Sequence, residues 1–189
     1  MSYADHFKQN AIKQFEFYKV LSERSFDQVD DEGFFWQYNP ESNSIAITAK
    51  HMAGNMLSRW TDFLTSDGEK PWRNRDMEFE LEKESRQKIM ELWGKGWECL
   101  FQAMDQISTE NFENEIFIRN IPHSITEAVN RQIAHMAYHT GQIAYVGRMI
   151  QGAQWQSLSI PKGKSGEFNQ KSFAKDKRQE HFTDEWRKK

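Results

Sequence analysis

At 189 residues and 22.5 kDa the chain is long enough to bury a hydrophobic core without covalent staples and short for two domains. Its single cysteine, Cys99, excludes an internal disulfide, and ten Gly with four Pro are few for a protein of many short strands. The net charge is −3, but residues 153–189 carry nine Lys/Arg against five Asp/Glu, or +4, which leaves −7 on residues 1–152; so acidic a body argues against a nucleic-acid partner.

The first ten residues, MSYADHFKQN, lack a basic patch followed by an apolar run, so no signal peptide is expected. No stretch approaches the ~20 apolar residues of a membrane helix. The expectation is a cytoplasmic protein with no membrane partner.

In chain order, Phe7, Ile12, Phe15 and Tyr18 recur at helical spacing and predict a first helix over residues 2–24. Residues 27–40 hold Gly33 and Pro40 around Phe34, Phe35 and Trp36, and read as a loop with an aromatic plug. Glu41, Ser42, Asn43 and Ser44 offer N-caps for a second helix over 45–64, ended by Ser66-Asp67-Gly68. After a link containing Pro71 and Trp72, a third helix is expected over 76–107. Asp76, Glu78, Glu80 and Glu82 would lie near its positive end. Gly94 and Gly96 fall inside it, where a bend or a close helix contact would explain them.

Phe112, Ile116 and Ile118 alternate with polar residues and suggest a short strand within 111–120, which Pro122 interrupts. Ser124-Ile125-Thr126-Glu127 fits a capping box and opens a fourth helix running to about residue 151. Beyond Gly152 come a turn-rich linker, 161–166, and a charged end. The reading is all-α: a four-helix bundle over residues 1–152 and a polar, basic C-terminal extension over 153–189.

His135 and His139 stand four residues apart on the fourth helix, so their rings are rotated by only about 40° and leave one face. That face borders the apolar stripe of Ile125, Val129, Met136 and Ile143. Two imidazoles alone make a weak metal site, and His51 inside the second helix is the natural third. No element aims His6, His123 or His181 at the pair. Two hydrogen-bonded interface histidines are the competing explanation. Asn55, Gln132 and Gln142 lie within about a turn of these histidines and could orient a ring or a substrate, although interhelical hydrogen bonds are the simpler role. Glu-x-x-His, HExxH and phosphate-loop patterns are absent. Cys99, the tryptophans and the phenylalanines read as core.

The second-helix stretch IAITAKHMAGNMLSRW (45–60) and the fourth-helix stretch NRQIAHMAYHTGQI (130–143) resemble the DinB/YfiT-like metalloprotein superfamily. DGEKPWRNR (67–75) resembles a branch of it that carries only a domain-of-unknown-function label, and residues 161–173 are similar to that branch as well. The resemblance covers roughly residues 1–160. It implies a four-helix bundle, often a homodimer, with one divalent ion, commonly nickel or zinc, held at the positions of His51, His135 and His139. Some members transfer low-molecular-weight thiols such as bacillithiol to electrophiles, and others isomerise maleylpyruvate with mycothiol. The expected function is therefore metal-dependent transfer of a thiol to an electrophilic small molecule. A metal-dependent hydrolase and a non-catalytic, stress-associated metal-binding dimer are the alternatives.

Overall fold

The structure, a computed structural model, describes residues 1–81 and 83–187. A serine hydroxyl opens each long helix by accepting a backbone amide that the helix leaves unpaired. Ser2 caps α1 (Tyr3–Phe26) in a capping box with Asp5. A short α2 (Asp31–Phe35) follows, capped by Asp30, and Ser44 caps α3 (Ile45–Trp60). Ser85 caps α4 (Arg86–Gln106). An antiparallel hairpin, β1 (Glu115–Ile118) and β2 (Ile121–Ser124), leads into α5 (Ile125–Gln151). Ser124 and Glu127 form the capping box expected from their spacing.

Among the described residues the chain is mostly helical, with seven helices and this one two-stranded sheet. The four long helices contact one another in a ring, α1 with α5, α5 with α3, α3 with α4, and α4 with α1. They enclose one core in which Phe15, Phe26, Trp60, Trp93 and Trp97 are buried. α3 is buried on almost every side, since α4, α5 and the 3-10 turn Asp76–Phe79 all pack on it. Residues 153–189 contribute α6 (Ser165–Phe173) and α7 (Asp184–Arg187). α7 lies on α1, where Arg187 pairs with Glu16 and the buried Thr183 donates to the Lys13 carbonyl. Among the described residues no helix is long and apolar enough to cross a membrane.

Several boundaries differ from the sequence reading. The expected 27–40 loop is helical over α2, because the Asp30 carboxylate accepts the Gly33 amide at 2.8 Å. Only part of its aromatic plug enters the core: Phe34 is buried and Trp36 lies at the surface. α3 stops at Trp60 rather than residue 64, since Asp62 takes a left-handed φ of 46°. The third long helix begins at Arg86, not at residue 76, because Glu78 is drawn inward to Arg73 and His51 and a break separates that turn from α4. Glu82, assigned above to the start of that helix, lies outside the described residues. Pro122 sits within β2 rather than ending the extended segment. A two-stranded ribbon leaves each strand an edge, where the missing amide is tolerated.

The two α4 glycines have different surroundings. A Cβ at Gly96 would stand 3.0 Å from the Ala53 Cα and 3.2 Å from its carbonyl oxygen, whereas one at Gly94 would meet nothing within 4 Å. Gly94→Ala should therefore stabilise the protein by about 0.5–1 kcal/mol through helix propensity. Gly96→Ala should destabilise it by about 1–3 kcal/mol by wedging α4 from α3. Urea unfolding of the two variants checks this, and shifts of the same sign would contradict the close packing at Gly96.

Candidate metal centre

Tertiary packing brings His51 of α3 to His135 and His139 of α5. One ligand atom from each lies within 4.8 Å of the others. The ring centroids are 5.3 Å apart for His51 and His135, 4.9 Å for His51 and His139, and 4.4 Å for His135 and His139. The margin position inferred for the α5 pair is reflected in burial: His139 is buried and His135 half-buried.

Two of the rings are oriented by hydrogen bonds. His51 Nδ1 lies 2.8 Å from Glu78 Oε2, and an ionised carboxylate can only accept, so Nδ1 carries the proton and Nε2 offers a lone pair. Burial alone would raise the Glu78 carboxyl, but hydrogen bonds from His51 and Arg73 hold it below the usual carboxylate range. The Arg73 guanidinium grips both Glu78 oxygens, at 2.8 and 2.9 Å, and reaches Glu69 Oε2 at 3.2 Å. His139 Nδ1 donates to Gln142 Oε1 at 2.7 Å, which leaves its Nε2 free as well. His135 Nδ1 is buried and has no hydrogen-bond partner among the described residues.

This donor set fits a divalent ion. His51 Nε2 and His135 Nε2 are 3.2 Å apart, close to the ~3.4 Å between two nitrogens on one tetrahedral ion at 2.0–2.1 Å. Burial, then the neighbouring charges of His139 and His51, push the His135 imidazole down to about 3. Burial pushes His139 down to about 4, against the opposing effect of its bond to Gln142. Both rings are thus neutral near pH 7, the form that ligates metals.

Gln142 orients a ring, whereas Gln132 and Asn55 act between helices. Gln132 donates to Asn55 Oδ1 at 3.2 Å and accepts from Trp60 Nε1 at 3.1 Å, tying α5 to α3. Cys99 is half-buried, 3.5 Å from Thr61 Oγ1, and burial raises its thiol.

Glu78 and Arg73 are the site residues that sequence reasoning missed. They come from residues 66–80, which is pinned by its own bonds. Asp67 accepts the Arg119 and Asn120 amides of the hairpin turn at 2.8 and 2.7 Å, and Ser58 Oγ donates to the Gly68 carbonyl at 3.0 Å. One signal was present, Gly54, a helix-interior glycine three residues after His51. A Cβ there would lie 2.8 Å from Glu78 Cδ, so a larger residue would expel the carboxylate.

A cleft of 420 Å³ opens over the triad, lined by the three histidines, Tyr138, Phe79 and five arginines, among others. Burial, then the nearby charge of Arg131, lowers one of these, Arg59, to about 10, so it stays cationic at neutral pH.

The fold and this cleft define a mostly helical protein with a three-histidine cluster exposed to a basic pocket. The family described as "Protein of unknown function (DUF1572)" matches residues 2–164, and the chain belongs to that family. No curated protein and no solved structure matches it.

Two outcomes follow from the site's geometry. Gly54→Ala should weaken metal binding by roughly 10–100-fold while leaving the helical content intact, because it displaces the carboxylate that orients His51; a zinc titration reads this, and unchanged affinity would remove Glu78 from the site. The second concerns the metal-free protein. With the His135 and His139 pKa values depressed on folding, the unfolded chain binds more protons below the ordinary histidine value of about 6.5. Stability is unaffected above that pH and falls as pH drops from about 6.5 toward 4. Urea midpoints between pH 7.5 and 4.5 should show the fall, and His135→Ala/His139→Ala should flatten it.

Proposed function

We propose that this protein is a divalent-metal enzyme of the DinB/YfiT-like kind, with the ion on His51, His135 and His139, that transfers a low-molecular-weight thiol to an electrophilic small molecule. The observation that carries the reading is the convergence of three imidazole donors from two helices at the floor of an open cleft. Three protein ligands with room beside them are the pattern of a catalytic rather than a structural ion. Four long helices in a ring are the arrangement expected of a four-helix bundle of that type.

When bound, the ion would supply Lewis acidity, which favours the thiolate form of a thiol at neutral pH. The chain's own residues set up that chemistry. Glu78, braced by Arg73, holds the His51 proton on Nδ1, and Gln142 does the same for His139. Phe79 packs against His51 at 4.7 Å and Tyr138 against His139 at 4.9 Å, so apolar ring surface flanks the donors. Nickel and zinc are the ions proposed, since imidazole suits both. The same reading implies a homodimer.

Elemental mass spectrometry should find about one equivalent of zinc or nickel in the purified or reconstituted protein. His51→Ala, His135→Ala and His139→Ala should each lose it while circular dichroism stays helical. Metal-loaded protein should consume thiol in the presence of an epoxide or alkyl halide. Turnover without thiol would favour a hydrolase instead, and metal uptake with no turnover would favour a non-catalytic metal-binding protein. Full metal content in all three variants would refute the triad.

A further inference from the structure

The cleft over the triad is basic although the body of the chain is acidic. Arg59, Arg73, Arg75, Arg119 and Arg131 line it, and among the described residues no Asp or Glu does. Three of these have carboxylates within reach: Arg73 is held by Glu78 and Glu69, Arg119 reaches Glu69 at 3.2 Å, and Arg75 lies 3.9 Å from Asp76 and over the Phe79 ring. Among the described residues, Arg59 and Arg131 have no carboxylate partner. Arg131, exposed on α5, makes one side-chain hydrogen bond among the described residues, to His123 Nε2 at 3.2 Å.

Arg59 is the more telling of the two. It emerges from the last turn of α3, is only 8% exposed, and makes no side-chain hydrogen bond among the described residues. Its Nη1 is buried and unpartnered, and a Cβ at Gly68 would stand only 3.0 Å from that atom, so the guanidinium fills the space this glycine leaves. One edge of this cation is therefore withdrawn from water with no acceptor, and only the more distant charge of Glu69 favours it, an unfavourable state that an added acceptor would relieve. A guanidinium is matched best by a planar or tetrahedral oxyanion that takes two of its N–H groups at once. The charges of Arg59 and Arg73 both act on His135, so an anion held here would sit beside the triad.

We propose that Arg59 and Arg131 bind an oxyanion, so that the small molecule presented to the triad carries a carboxylate or a phosphate group. This inference rests on the metal-centre reading for its functional meaning but not for the binding itself, since the arginines act without the ion. The histidines would face the reacting end of the substrate and the arginines its charged end.

Isothermal titration of the metal-free protein with succinate and with inorganic phosphate tests it. The wild type should bind at least one of them at one equivalent, and whichever binds identifies the group. Arg59→Gln and Arg131→Gln should each weaken that binding at least about tenfold, the scale of one charge-assisted hydrogen bond, while taking up zinc as the wild type does. If Arg59→Gln does not fold, the exposed Arg131→Gln decides. Binding of neither anion by the wild type, or undiminished binding in the variants, would overturn the proposal. The two readings fail separately: zinc uptake without anion binding refutes the oxyanion site, and anion binding without zinc uptake refutes the metal centre.

Discussion

The Glu78 carboxylate, buried against His51, is the interaction around which this side of the molecule is arranged. A carboxylate out of water needs a cation and several donors, and the Arg73 fork supplies both from five residues upstream. To bring the pair over α3, the chain leaves helical geometry after Trp60, folds back through residues 66–80, and resumes a long helix only at Arg86. α3 must then be narrow where the carboxylate crosses it, and Gly54 provides that room. Removing the contact would free the His51 ring and also leave Arg73 buried opposite Glu69 alone.

The charge distribution reads the same way. The body carries −7, yet five arginines gather at one cleft, and the charges of Arg59 and Arg73 act on His135, an imidazole that burial already keeps neutral. His135 and His139 are therefore not cations near neutral pH. They can act as lone-pair donors, which is the property a divalent ion requires. A guanidinium keeps its charge in a protein at neutral pH. Neutral donors and fixed positive charge thus share one small volume, the combination on which the proposed anionic substrate rests.

The C-terminal extension lies apart from this chemistry. α7 docks on α1 through Arg187, Glu16 and Thr183, and no described residue after 152 lines the cleft over the triad. The arginines that line the cleft come from α3, α5, the hairpin turn and the 66–80 segment.

Of the long helices α5 was the most legible: its capping box, its length and the shared face of His135 and His139 could all be read from spacing, because capping and the 3.6-residue period act within a few residues. His51 was nameable as a third candidate by its place inside α3, but only packing of α3 on α5 brings its ring to the pair. The carboxylate behind it was not legible. Glu78 lies 27 residues from His51 in a segment with no periodicity, and it read as a dipole-facing residue of a helix that in fact starts at Arg86. The basic cleft was equally hidden, since its five arginines are scattered between residues 59 and 131 and acquire a common neighbour only when the helices close. Sequence determined which side chains share a helical face, a local property of the backbone. Tertiary structure decided which faces meet and which charges are left without partners, because both depend on contacts between segments distant along the chain.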